Sequence, residues 1–344
     1  MPHAFICGVA GETLSSAEAA FLKSASPAGL ILFARNCIGH EQIQRLVGDV
    51  REAAGAGDDF LVLIDQEGGR VQRLRPPLGR TLPPARAYAD LYAEDAGAAQ
   101  EAAFLTARLL ADDLKALGIN TNCAPVLDVP VPEAHDIIGD RAYGRDPQQA
   151  ATLGRAVAEG LMAGGVLPVI KHIPGHGRAT EDSHLGLPVV SAPQDLLEAT
   201  DFAPFTALSD MPAAMTAHVV FAALDAVEPA STSRRVTQDI IRGDIGFDGL
   251  LMSDDLGMKA LSGSFGARTR AVLAAGSDLA LHCSGTLSEM EEVASEAPRL
   301  TGAALRRFRT ALAILRRSEP YDRAKAEAQL ARVLGTGGRH AESV

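Results

Sequence analysis

Eight short runs along the chain are apolar at nearly every position: FICGVAG from Phe5, GLILF from Gly29, FLVLID from Phe60, INTNCAPVLDV from Ile119, VLPVIKH from Val166, AAMTAHVVF from Ala213, GLLMSDD from Gly249 and DLALHCS from Asp278. A strand with one wet face alternates apolar and polar residues, whereas a strand covered on both faces reads as a continuous run. These eight therefore predict the buried strands of a parallel sheet. Between them the period changes. Ile43, Leu46, Val47 and Val50 fall at i, i+3, i+4 and i+7 on one helical face, and the Ala/Leu-rich stretch from Ala98 to Leu117 ends at Gly118, a residue suited to a helix C-terminus.

Alternation of this kind places the chain in the α/β class and predicts a single (β/α)8 TIM-type barrel over residues 1–334, with a frayed C-terminal tail at 335–344. A doubly wound open sheet shares the alternation, but no G-x-G-x-x-G follows a strand. A barrel carries its chemistry just beyond the C-terminal ends of its strands. Polar clusters fall there: DQEGGRVQRL after the third run, KHIPGHG after the fifth, AH after the sixth and SDD after the seventh. The long intervals after the third and fourth runs predict loops that enlarge the site. The basic segment LRRFRTALAILRR from Leu305 is expected to pack on the barrel with its arginines solvated.

Composition narrows the partners. With 47% hydrophobic and 22% charged residues the chain can build an ordinary core, and its formal charge of -11, without a Lys/Arg-rich run, argues against nucleic-acid or membrane-surface binding. Cys7, Cys37, Cys123 and Cys283 lie apart inside apolar runs, which predicts buried, reduced thiols rather than disulfides or metal ligands. No basic leader precedes an apolar stretch and no window reaches the ~18 apolar residues of a membrane span, so the expectation is a cytoplasmic protein, with a monomer favoured.

The densest chemistry is KHIPGHGRATEDSH, residues 171–184. His172 and His176 have the spacing of a zinc-binding helix, but Pro174 and Gly175 break that helix and no HExxH glutamate is present, so no metal is expected. Asp182 and His184 are two apart, where an extended backbone puts both side chains on one side. A carboxylate on one imidazole nitrogen fixes the tautomer, leaving the other free to exchange a proton near neutral pH. Serine nucleophile chemistry has no G-x-S-x-G here, and Ser183, inside the dyad, is a poor candidate. A nucleophile must come from elsewhere, and SDD ends the strongly apolar run GLLM. One of its aspartates could cap a following helix while the other faces the mouth, and spacing alone does not say which.

Taken together, LIDQEGGRVQRL, NCAPVLDV, IIGDRAYGRDP, KHIPGHGRATEDSH, AAMTAHV and MSDDLGM resemble glycoside hydrolase family 3, and within it the NagZ-type bacterial β-N-acetylglucosaminidases of peptidoglycan recycling. The matching stretches run in the family's order from Leu63 to Met258, and the total length resembles members that consist of the barrel alone. The resemblance implies that Asp254 is the nucleophile, that His184 is the acid/base and that Asp182 orients it. It further implies that Asp65, Arg73, Arg141, Lys171 and His172 bind the sugar, with no metal or organic cofactor. For Asp65, Arg73, Arg141 and Lys171 the alternative is a salt-bridge network lining the loops. Ile173, where an aromatic is usual, and Tyr143, where Phe is usual, depart from the pattern but keep apolar bulk.

A retaining glycosidase needs a carboxylate below the anomeric carbon and a proton donor beside the leaving oxygen. An imidazole supplies that proton without the burial a carboxylic acid needs, and when neutral it does not repel the carboxylate. The absence of Trp and only 4% aromatic residues favour a short substrate over a stacked polysaccharide. The expected activity is exo-cleavage of non-reducing GlcNAc from a small GlcNAc-1,6-anhydro-MurNAc disaccharide or muropeptide by double displacement. Rival readings are a phosphorylase that uses phosphate as acceptor, a muropeptide-binding sensor without turnover, and a loop-metal hydrolase.

Overall fold

The computed structural model describes residues 1–317 and 319–337. Eight parallel strands form the barrel: β1 (His3–Cys7), β2 (Pro27–Leu32), β3 (Leu61–Ile64), β4 (Thr121–Asn122), β5 in two pieces (Leu167–Pro168 and Ile170–Ile173), β6 (Ala213–Thr216), β7 (Leu250–Asp255) and β8 (Leu279–His282). The sheet runs from the first piece of β5 through β4, β3, β2, β1, β8, β7 and β6 to the second piece of β5, so it returns to the strand from which it started. Every pairing in it is parallel.

The continuous apolar runs follow from this closure. Within each strand the side chains alternate between two hydrophobic layers. Ala4, Ile6, Leu61, Leu63, Leu250, Met252, Leu279 and Leu281 fill the barrel interior, while Phe5, Cys7, Val62, Ile64 and Ala280 meet the surrounding helices. Both sets are buried, so these positions are apolar on either face. Helix His40–Ala53 buries Ile43, Leu46, Val47 and Val50 as their spacing predicts. Helix Ala96–Ala116 is followed by Gly118 at φ +80°, a conformation that favours glycine.

β4 is short because its neighbourhood is polar, and side-chain amides continue the ladder that the backbone leaves. Asn120 accepts from the Val62 amide (2.7 Å) and donates to the Phe60 carbonyl (2.8 Å). Asn122 does the same to both backbone groups of Gln66, at 3.0 Å each. The barrel floor is closed by helix Gly302–Leu315, whose Phe308, Ala311 and Leu312 join the interior cluster. Its arginines are not all solvated as expected: Arg307 pairs with Asp248 (2.7 Å), two residues before β7, and with Asp278 (3.1 Å), immediately before β8. The last helix, Arg323–Gly337, includes the first residues of the expected tail, and 338–344 lie outside the described residues.

Candidate active site

A cavity of about 580 Å³ opens at the C-terminal mouth, within the usual range for small-molecule sites. Ile31, Met215 and Leu281, the last interior residues of their strands, form its apolar floor, and the ends of β5 and β7 together with loops from around the barrel supply polar walls. The long segments after β3 and β4 contribute as expected. A hairpin of Gln66–Gly68 with Val71–Gln72 carries Glu67 and leads into Arg73, and the 3-10 turn Gly139–Arg141 carries Arg141. Asp65, Arg73, Arg141, Lys171, His172, His184 and Asp254 all line the cavity, and Asp182 supports it from behind His184.

One wall is a charge network. Lys171 Nζ reaches Asp65 (3.0 Å) and Glu67 (2.6 Å), Arg73 holds the other oxygen of Asp65 (2.8 Å), and Arg141 grips Glu67 with two nitrogens at 2.8 and 2.9 Å. Five charges in a partly dry site are tolerable only when paired in this way. Burial works against the charge on Asp65, but Lys171 and Arg73 outweigh it and hold the carboxyl well below the usual range. Glu67 is likewise opposed by burial and held down at about 2 by Lys171 and Arg141. Burial pushes Lys171 down, but Asp65 and Glu67 more than reverse that, so the ammonium persists. The salt-bridge network and the cavity lining are therefore the same residues. Phe33 adds rigidity, with the guanidinium groups of Arg35 and Arg73 each 4.9 Å from its ring centroid.

His172 stands beside this wall, with Nδ1 2.6 Å from Asp128. The same carboxylate accepts the backbone amides of His172 (3.2 Å) and His176 (2.7 Å). Asp128 is buried, yet His172 keeps it below the ordinary carboxylate range. With Nδ1 committed to Asp128, Nε2 is the nitrogen left for a ligand.

The two aspartates of SDD separate by environment. Asp254 points into the cavity and accepts the Asp255 amide at 2.8 Å. Burial raises its carboxyl, but His172, His218 and Lys171 outweigh burial and hold it below its ordinary value. Asp255 does not cap a helix, since the next one begins at Phe265 with Ser264 as its cap. Instead it ties the loop after β7 to the end of β8, accepting from the amides of Gly257 and Cys283 at 3.0 Å each.

Asp182 and His184 do pair, with Oδ1 2.8 Å from Nδ1, but the backbone is not extended. The Asp182 side chain also accepts the His184 amide at 2.8 Å, and its carbonyl accepts from Leu185 and Gly186, so the dyad is built on a tight turn. The His184 side chain is 62% exposed at the rim. Burial acts to raise Asp182, but its bonds to His184 outweigh burial and lower it.

Glu67, Asp128, His176 and His218 also build the site, although the sequence pattern gives them no role there. Asp128 ends the apolar run of NCAPVLD much as Asp254 ends GLLM, a signal that was available. His218 is buried behind Asp254, bonded to Ser231 (2.7 Å) and the Asp255 carbonyl (3.1 Å). Among the described residues no group of three His, Cys, Asp or Glu side chains is placed to hold a metal ion. The four cysteines are free and buried, and burial pushes Cys7 up to about 12.

Chemically, an ionised aspartate on the cavity wall can attack an electrophilic carbon, and a carboxylate-bonded imidazole at the rim can exchange a proton with what leaves. A parallel barrel with these groups at its C-terminal mouth has the layout of an α/β-barrel enzyme. Residues 7–307 match the Glycosyl hydrolase family 3 N terminal domain. A beta-hexosaminidase of Xylella fastidiosa (strain 9a5c) is 40% identical over 282 residues, 81% of this chain and 82% of the relative. A beta-hexosaminidase of Xanthomonas axonopodis pv. citri (strain 306) is 39% identical over 282 residues, 81% and 83% of the two. The structure of NagZ from Neisseria gonorrhoeae in complex with N-trifluoroacetyl-D-glucosamine matches with a TM-score of 0.85 at 32% identity, covering 98% of this chain and 100% of that one. This chain belongs to glycoside hydrolase family 3, and it is a glycosidase.

Proposed function

We propose that the enzyme is a retaining exo-β-N-acetylglucosaminidase that removes non-reducing terminal GlcNAc from small peptidoglycan fragments, GlcNAc-1,6-anhydro-MurNAc with or without peptide. In this reading Asp254 attacks the anomeric carbon while His184, oriented by Asp182, protonates the glycosidic oxygen. Water activated by the same imidazole then releases the sugar. Asp65, Arg73, Arg141, Lys171 and His172 bind the sugar hydroxyls and N-acetyl group.

The observation that carries the reading is the pairing of an anionic Asp254 in the cavity wall with a carboxylate-bonded imidazole at its rim. Support for the sugar comes from the beta-hexosaminidase relatives and from the glucosamine derivative named in the Neisseria gonorrhoeae structure. The cavity volume suits one or two sugar rings rather than a long chain. Four free thiols suit a reducing, cytoplasmic setting. Among the described residues no helix is long and apolar enough to cross a membrane.

The test is incubation with GlcNAc-1,6-anhydro-MurNAc in water and in phosphate buffer. Free β-GlcNAc in both, seen by NMR before mutarotation, supports the reading. GlcNAc-1-phosphate formed only in phosphate makes the enzyme a phosphorylase, and no cleavage in either leaves a binding protein.

A further inference from the structure

The dyad stands on a turn whose outer residues are open to solvent, yet the residue between its two members is not. Ser183 is 3% exposed, and it faces inward while the His184 side chain is 62% exposed. Two bonds hold it. Its hydroxyl lies 3.0 Å from His176 Nε2, and its carbonyl accepts the Ala260 amide, from the loop that follows β7, at 3.3 Å. His176 is itself fixed. Its amide donates to buried Asp128 at 2.7 Å, its ring lies 5.7 Å from that of His172, and at Gly177 a Cβ would run into the Val129 backbone.

We propose that His176 and Ser183 form a latch that positions the catalytic dyad, so that His176 and Ser183 are positioning residues for proton transfer by His184. This rests on the reading of His184 as the acid/base. Among the described residues His184 bonds only to Asp182, two residues away in the same turn, so those bonds set its orientation within the turn but not the height of the turn above the cavity. That height is set by Ser183. Among the described residues the buried Nδ1 atom of His176 has no partner, so the ring is tied to the turn through Nε2, 3.0 Å from the Ser183 hydroxyl. Burial, with His172 second, pushes this imidazole down to about 4, so it stays neutral through the working range. The link joins the turn to Asp128 and through it to His172, which connects the proton donor to the sugar-binding wall.

Acid catalysis matters in proportion to how poor the leaving group is, which separates a displaced proton donor from a generally damaged enzyme. The experiment measures kcat/KM for phenyl and for 2,4-dinitrophenyl β-GlcNAc with wild type, Ser183→Ala, His176→Phe, His176→Gln and His184→Ala, with a thermal melt of each. Loss of one neutral hydrogen bond corresponds to about tenfold. The expected result is that Ser183→Ala and His176→Phe each lose about tenfold more on the phenyl substrate than on the dinitrophenyl one. His176→Gln, which keeps a donor near the Nε2 position, is expected to recover most of that difference. If both latch variants keep the wild-type ratio between substrates while His184→Ala changes it, the latch is overturned and the acid/base assignment stands. If His184→Ala also keeps the ratio, the acid/base assignment has failed and the latch falls with it.

Discussion

Glu67→Gln removes one charge from the cavity wall while keeping its shape. In the native wall three cations, Lys171, Arg73 and Arg141, face two carboxylates, and the Glu67 side chain is only 7% exposed. The variant leaves Arg141 without its two-pronged partner and Lys171 with Asp65 alone. Two routes give the magnitude. Removing one member of a buried ion pair costs about 3–5 kcal/mol. A carboxyl held at about 2 instead of 4.5 contributes on the order of 3 kcal/mol at neutral pH. Because the folded value is the lower one, the contribution is present in full above the unfolded value of 4.5 and is lost as pH falls toward 2. Urea denaturation of wild type and variant is therefore expected to differ by about 3 kcal/mol at pH 7, with roughly half that difference gone near pH 3. A difference under about 1 kcal/mol at pH 7, or one that does not shrink on acidification, would refute the account of this wall.

Other consequences are equally measurable. Asp128→Asn weakens the charge-assisted bond that orients His172, and a loss of about 10–100-fold in kcat/KM on 4-nitrophenyl β-GlcNAc is expected, with the fold retained by circular dichroism. Since His172, His218, the Asp255 amide and Lys171 together hold Asp254 below its ordinary 3.8, the acid limb of kcat/KM for an activated donor is expected below that value. An inflection between pH 4 and 6 that persists in His184→Ala would contradict this. Double displacement uses a carboxylate and an imidazole in place of a Lewis acid, so EDTA is expected to leave turnover unchanged, and inactivation reversed by zinc would contradict it.

The barrel was legible in the sequence because closure buries both faces of each strand, and continuous runs such as FLVLID record that directly. β4 was less legible, since Asn120 and Asn122 complete its pairing through side chains that read as loop residues. The contact between Asp182 and His184 was legible in their spacing of two, but its local cause is a turn closed by the Asp182 carboxylate rather than an extended backbone. Both aspartates of SDD line the cavity, and what tells them apart lies 28 positions away, where the Cys283 amide occupies Asp255. Glu67 has no local signal for a similar reason: its partners Arg141, from the loop after β4, and Lys171, within β5, are distant in sequence, and no local pattern records that they meet.

The assignment of Asp254 as the nucleophile is tested most directly by the mass of the protein after reaction with a slow 5-fluoro-glycosyl donor of the GlcNAc series, followed by peptide mapping. One added glycosyl mass on the peptide containing Asp254, absent in Asp254→Ala, is the predicted result. A label on another residue, or turnover of 4-nitrophenyl β-GlcNAc by Asp254→Ala within about tenfold of wild type, would contradict covalent catalysis through this aspartate.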